Sequence, residues 1–432
     1  MYINGQWVNA TNGSTFDVLN PSNGDKIGEV ANGDRSDAQA AIQAARHAFD
    51  PWSRLTAYQR SQYLYKAYEL MMERREHLAR VMTQEQGKPL KASRGEVQYG
   101  ADFLLWYAEE AKRIYGETIP APRPDQRFIV LRQPVGVVAA ITPWNYPMSM
   151  ITRKVAPALA AGCTVVLKPA EATPLCAVEI FKLFEKAKIP AGVVNLVTAR
   201  DPVPIGETFI TDPLVRKITF TGSTQVGKIL AKKAAEQVKH VSLELGGHAP
   251  FIVFDDADPV YAAKGAKLVK FLNTGQACIS PNRIFVHRSI VDPFVQEFKN
   301  RVSEMRAGSG FEQGVSIGPL VNSAALEKVD RQVTDALDKG ATLVCGGHRM
   351  MDNNLDKGYF YAPTILKDYT ANLSRAMRMF EGLHFGIIGI NDINPTAAAA
   401  PFGGMKESGL GREGGREGIA EYLETKLGGF SV

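Results

Sequence analysis

The chain contains no run of about 18 apolar residues, no cysteine pair spaced C-x-x-C and no H-x-x-x-H pair of histidines. Each absence excludes a class of protein. A bilayer-spanning helix needs about 20 mainly apolar residues, so membrane insertion is not expected. The four cysteines, Cys163, Cys176, Cys278 and Cys345, are spaced for neither a disulfide framework nor a zinc site, which points to a reducing, cytoplasmic setting. Seven histidines without paired spacing give no reason to assign a metal. The N-terminus, "MYINGQWVNATNGS", has neither the basic n-region nor the apolar h-region of a signal peptide. Charge of one sign is scarce too: the net +5 is spread over 432 residues, and the densest basic cluster, "ERREHLAR", is interleaved with acids on an expected helix. That pattern argues against a nucleic-acid partner.

What is present is an ordinary globular composition, 45% hydrophobic and 22% charged, in a chain too long for one core. Two or three domains are expected. The first third is helical after a short extended lead: Ser36 is the expected cap of "SDAQAAIQAARHAFD", one helix runs from a Thr56 cap to a stop at Gly87, and a third ends at Gly116. "ETIPAPRPDQRFIVLRQP" then reads as an exposed two-stranded ribbon of the kind that joins subunits. From Gly136 short, continuously apolar strands alternate with helices, as in "GVVAAITP", "CTVVLKP", "GVVNLVTA", "KITFTGS" and "HVSLELGG". Strands buried on both faces imply a doubly wound parallel sheet, an α/β nucleotide-binding architecture. A second α/β alternation, including "PFIVFDDAD", "RIFVHRS", "ATLVCGG" and "GIIGIND", starts after Gly247, with "DDAD" capping a helix.

Five stretches are suited to chemistry. No G-x-G-x-x-G follows an expected strand, but in "FTGSTQVG" Gly222 ends a strand and Ser223 and Thr224 open a helix, either a pyrophosphate cradle or a plain capped turn. In "LKPAE", Lys168 and Glu171 sit past a strand's carboxyl end, placed for ribose hydroxyls or simply solvated. Asn145 in "ITPWNYP" is either an oxyanion donor or a turn cap. Glu244 in "SLELGG" is either a desolvated general base or a paired edge carboxylate. In "NTGQACIS", Cys278 stands among small polar neighbours with a glycine two residues before it, a setting expected to lower its pKa and expose a nucleophilic thiolate; the other cysteines read as core.

Taken together and in order, "ITPWNYP", "LKPAE", "FTGSTQVG", "SLELGG", "NTGQACISPNR" and "PFGGMKESGLGREGG" resemble the NAD(P)-dependent aldehyde dehydrogenase superfamily. The resemblance spans nearly the whole chain. It implies a cofactor domain (residues 1–115 and 134–246), a catalytic domain (247–415) and a small β oligomerisation element (116–133 and 416–432), assembled as a homodimer or homotetramer. It implies Cys278 as the nucleophile that forms a thiohemiacetal and then a thioester, Asn145 as oxyanion donor and Glu244 as the base that activates the hydrolytic water. Thr142, Pro143, Trp144, Lys168, Glu171, Gly222, Ser223, Leu245 and Gly246 are the implied cofactor contacts. Glu171 would repel a 2′-phosphate, so NAD is expected over NADP.

The runs "PLVRKITFTGST", "APFIVFDDAD" and "EEAKRIYGE" are most similar to succinate-semialdehyde dehydrogenases, with Arg113 as an implied substrate-carboxylate contact. Leu272 stands six residues before Cys278, where those enzymes carry an arginine. A second departure follows Asp368: the family's E-E-x-F-G-P segment, with a strand-helix-strand portion, is absent. In the family that glutamate holds the nicotinamide ribose. Two other readings fit parts of the pattern: a non-catalytic protein on the same fold, and a cofactor-independent thiol esterase using Cys278 and Glu244.

Overall fold

The computed structural model describes residues 1–247, 249–367, 386–387, 389, 392 and 395–431. The chain opens with β1 (Tyr2–Ile3), β2 (Gln6–Trp7), β3 (Thr15–Leu19) and β4 (Lys26–Ala31), followed by α1 (Arg35–Ser53), α2 (Ala57–Glu73), α3 (Arg75–Gln86) and α4 (Leu90–Glu110). Then come β5 (Glu117–Ile119), β6 (Gln126–Pro134), β7 (Val137–Ile141), α5 (Ser149–Ala161), β8 (Thr164–Lys168), α6 (Pro174–Lys186), β9 (Val194–Leu196), α7 (Val203–Thr211), β10 (Val215–Thr221), α8 (Thr224–Ala235) and β11 (His240–Glu244). Beyond these lie β12 (Pro250–Val253), α9 (Pro259–Lys270), β13 (Arg283–Val286), α10 (Val291–Ser303), β14 (Arg306–Ala307), β15 (Val315–Ile317), α11 (Ser323–Asp338), β16 (Thr342–Cys345), β17 (Ile365–Lys367), β18 (Gly409–Leu410) and β19 (Leu423–Ser431).

The central sheet has the order β18-β11-β10-β7-β8-β9-β1-β2, and β11, β10, β7, β8 and β9 run parallel. Alternate residues feed two cores. Val138, Ala140, Val165 and Leu167 join α2 to α6, while Val137, Ala139, Val166, Ile218 and Leu243 join α1, α7 and α8. Both faces are therefore covered, the reason β7 is apolar throughout. β7 lies between β8 and β10, so the chain switches direction of travel beside it, and crevices at such points are where doubly wound sheets bind ligands.

Several local expectations need correction. α1 is capped by Asp34, not Ser36; the Asp34 carboxylate accepts from the Ser36 N–H at 2.8 Å and places full negative charge at the positive end of the helix. The stretch from Thr56 to Gly87 is two helices, because Arg74 (φ −96°, ψ 13°) leaves helical geometry between them. Thr56 does cap the first, and Gly87 ends the second at φ 87°. Asp258 caps α9 by accepting from Val260 N–H at 2.8 Å, as "DDAD" suggested.

The ribbon of β5 and β6 is completed by β19, forming a three-stranded antiparallel sheet. Residues 415–422 lie outside it: Ile419 and Tyr422 pack into the core beneath α4 and α5. After Gly247 the described strands pair as β12 with β13, β14 with β15, and β16 with β17. Asp368 and three residues of "GIIGIND", Ile388, Ile390 and Asn391, lie outside the described residues.

Candidate active site

Strand register brings the singled-out residues to one edge. Ile141 pairs with both Lys168 and Phe220, and Thr221 pairs with Glu244, so the turns after β7, β8, β10 and β11 open side by side. Thr142, Pro143, Trp144 and Asn145 follow β7; Lys168 ends β8 with Glu171 just beyond; Gly222 and Ser223 follow β10; Glu244 ends β11, with Leu245 and Gly246 next.

This edge has the features of a dinucleotide cradle. Ser223 caps α8 through Val226 N–H at 3.3 Å, and the first-turn N–H groups present partial positive charge. Gly227 permits Leu245 to lie against that helix, since a Cβ there would stand 2.3 Å from a Leu245 methyl. Thr142 Oγ1 and Thr221 Oγ1 are buried with no hydrogen-bond partner among the described residues. The Lys168 ammonium, lowered in pKa by burial, donates to Pro169 O at 2.9 Å and lies 3.6 Å from the half-exposed Glu171 carboxylate. Unspent hydroxyls, a buried cation and an open helix N-terminus fit a phosphate- and hydroxyl-bearing cofactor.

The loop that carries Cys278 meets this edge from the other half of the molecule. Asn273 (φ 50°) and Thr274 (φ 60°) adopt left-handed backbone, which for a β-branched threonine costs roughly 1–3 kcal/mol. Side chains hold the turn. Thr274 Oγ1 bonds both Gly318 O (3.3 Å) and Gly318 N–H (3.1 Å), Gln276 Oε1 accepts from Val321 N–H at 3.0 Å, and Ser280 Oγ donates to Lys270 O at 2.9 Å. Asn145 Nδ2 donates to Gln276 O at 2.9 Å, two residues before Cys278.

Cys278 itself is exposed, while Cys163 and Cys176 are fully buried and Cys345 half-buried. Its pKa is raised, not lowered as its sequence setting suggested. The protein around it desolvates the thiolate and the Glu244 charge opposes ionisation, whereas Arg153 and the N–H groups of Cys278 and Ile279 favour it. The Glu244 carboxyl is pushed up to about 8 by burial and by Glu413, with Arg153, Lys154 and Arg412 pulling the other way. Gly409 pairs with Glu244 on the outer edge at φ 151°, and a Cβ there would sit 2.3 Å from Leu243 O, so only glycine lets this strand cover β11.

Arg153, Lys154 and Glu413 form a buried group that the sequence reading missed. Arg153 Nε lies 2.7 Å from Glu413 Oε2, and Lys154 ion-pairs with the other Glu413 oxygen and donates to Thr219 Oγ1 at 3.2 Å. Burial would raise the Glu413 pKa, but Lys154 and Arg153 hold it below the ordinary value. A signal was present: "KITFT" and "SLE" alternate polar and apolar residues, so Lys217, Thr219, Thr221, Ser242 and Glu244 share the face toward α5. Arg113, by contrast, lies just past α4 and pairs with Glu110 at 3.3 Å. The arginine whose charge reaches Cys278 is Arg153, which stacks 3.8 Å from the Phe402 ring and whose terminal NH2 has no hydrogen-bond partner among the described residues.

A model described as "Aldehyde dehydrogenase family" matches residues 7–372 and 368–427. The two matched pieces meet where the E-E-x-F-G-P segment is absent. A succinate-semialdehyde dehydrogenase [NADP(+)] of Escherichia coli (strain K12) is 46% identical over 467 residues, covering 98% of this chain and 96% of the relative. That alignment is longer than the 432-residue chain, so the relative carries residues with no counterpart here. A 3-sulfolactaldehyde dehydrogenase of Pseudomonas putida is 46% identical over 474 residues, covering 99% and 96%. The crystal structure of an E. coli NADP-dependent enzyme superposes with a TM-score of 0.95 at 45% identity, covering 100% of this chain and 98% of that one.

Proposed function

The chain belongs to the aldehyde dehydrogenase family and oxidises aldehydes with NAD(P), and from that premise we propose that Cys278, Asn145 and Glu244 carry the reaction. The observation that supports this most is convergence: Asn145 is tied to the Cys278 loop at 2.9 Å, and the Glu244 charge acts on the Cys278 thiol. Cys278 Sγ bonds to the aldehyde carbon as the carbonyl electron pair moves to oxygen. The second N–H of the Asn145 amide and the Cys278 N–H hold that oxyanion. Thr142, Lys168, the turn at Gly222 and Ser223, and Leu245 and Gly246 form the cofactor cradle, with Pro143 and Trp144 beside it; NAD(P) bound there supplies a two-electron acceptor. Glu244 then takes a proton from water as the water oxygen bonds to the acyl carbon and the C–S bond breaks, returning the Cys278 thiolate. Glu413, kept ionised by Lys154 and Arg153, raises the affinity of Glu244 for that proton. The test is mass spectrometry of a Glu244→Gln variant mixed with NAD(P) and aldehyde: an acyl adduct on Cys278 is expected to accumulate, and a variant that hydrolyses its adduct as fast as the parent would overturn the role of Glu244.

The substrate class we read is a small aldehyde with a terminal anion, such as succinate semialdehyde. Arg153 has an NH2 with no hydrogen-bond partner among the described residues and its charge acts on the Cys278 thiol, and both relatives named above act, by their names, on aldehydes carrying an anionic group. For the cofactor the reading is NAD, on the exposed Glu171 carboxylate alone; the E. coli relative is named for NADP(+). The sheet of β5, β6 and β19 leaves Leu131, Leu427 and Phe430 exposed, which supports a homodimer or homotetramer joined through it. Light scattering at a monomer mass would refute that. The three parts so described are the cofactor, catalytic and oligomerisation regions of one cytoplasmic enzyme.

A further inference from the structure

Lys88 lies in the short loop between α3 and α4, only 2% exposed, and no step above uses it. Its ammonium forms a buried ion pair with Glu96 of α4, donates to the main-chain carbonyl of Asn145 at 2.8 Å, and stands 4.3 Å from the centre of the Tyr146 ring. The other Glu96 oxygen accepts from the main-chain N–H groups of Met148 at 3.0 Å and Ser149 at 3.3 Å. The cation thus holds one end of the Asn145–Ser149 segment by its carbonyl, and the anion holds the other end by its N–H groups. Asn273 Nδ2, from the nucleophile loop, donates to the same Asn145 carbonyl at 2.9 Å, so both lone pairs of that oxygen are engaged.

A buried ion pair is weak evidence for stability, because desolvating two charges offsets most of their attraction. Placement is a better account of this one. The backbone of Asn145 is gripped from the α3–α4 side by Lys88 and from the Cys278 side by Asn273, and its side-chain amide is held on Gln276 O at 2.9 Å.

We propose that Lys88, paired with Glu96, is a positioning residue that fixes the Asn145 peptide and so aims its amide at the oxygen of the reacting carbonyl. This rests on the reading of Asn145 as oxyanion donor. Misplacement of a reacting group by about 1 Å costs roughly 10²-fold, and loss of one oxyanion donor roughly 10²–10³-fold.

The experiment is a mutant cycle on the full-length enzyme. Lys88→Met combined with Glu96→Gln removes the cation without stranding a charge and keeps an acceptor for Met148 and Ser149. It is expected to lower kcat roughly 10- to 100-fold, with cofactor affinity by calorimetry unchanged within about twofold. Adding Asn145→Ala is expected to give an enzyme no slower than Asn145→Ala alone, because Lys88 acts through that amide. A paired variant within about twofold of the parent kcat, or costs that multiply in full, would overturn the role of Lys88. An Asn145→Ala enzyme at parental kcat would instead overturn the oxyanion reading beneath it. If the paired variant does not fold, Lys88→Arg keeps the charge but changes the donor geometry, and the same cycle with the same outcomes applies.

Discussion

The Asn145 amide donates to the main-chain carbonyl of Gln276 at 2.9 Å, joining a turn of the central sheet to the loop that carries Cys278 across 131 residues of sequence. Cys278 follows Gln276 by two positions, so any movement of that turn moves the thiol's surroundings. The proposed chemistry is placed at this junction, and its electrostatics make measurable statements.

Glu244 titrates high because burial and Glu413 disfavour its anion. Thioester hydrolysis, measured by single-turnover release of acid from preformed acyl-enzyme, should therefore rise with pH and level off above about 8. Lys154 lowers the Glu244 pKa, so Lys154→Met should move that rise to higher pH. The same variant breaks a buried ion pair and should cost about 3–5 kcal/mol of stability by denaturant unfolding. A profile that does not move would detach Lys154 from the base.

The same carboxyl leaves a mark on stability. Unfolded, it releases its proton near 4.5; folded, near 8, so between those values the native state holds a proton that the unfolded chain has lost, and its contribution falls as pH rises. Glu244→Gln should raise the melting temperature more at pH 8 than at pH 5. An equal change at both would show that the carboxyl is not perturbed in the fold.

Arg153 should act on substrates by charge. Replacing it with methionine is expected to lower kcat/KM for succinate semialdehyde, relative to an uncharged aldehyde of similar length, by about 10- to 100-fold, the range for a charge-assisted hydrogen bond. The ratio matters because removing the Glu413 ion pair will slow both substrates. A constant ratio would assign Arg153 to structure alone.

Glu171→Ser should relax discrimination against NADP, read as the ratio of kcat/KM values for the two cofactors. The exposed position of the carboxylate predicts little effect on folding. An unchanged ratio would remove Glu171 from cofactor choice.

Much of this site was legible in the sequence because it sits on strand ends. Apolar runs marked β7, β8, β10 and β11, and the residues just after each run had to share one edge once the strands were parallel. Cap chemistry was legible at Thr56, legible only to the stretch "DDAD" at Asp258, and misread where two candidates stood close together, as at Asp34 and Ser36. What could not be read was what depends on tertiary neighbours. The rise in the Cys278 pKa comes from protein folded around it, and the charge that favours its thiolate comes from Arg153, inside α5. Glu413 reaches Lys154 across 259 residues, a separation no local pattern reports.

The most direct test is reduced-cofactor formation, followed by absorbance, when the purified chain is given NAD or NADP with succinate semialdehyde and neutral aldehydes, beside a Cys278→Ala control. The account predicts reduced cofactor from the native protein and none from the control. Equal rates in the two proteins, or no reduced cofactor from either while NAD binds, would contradict it.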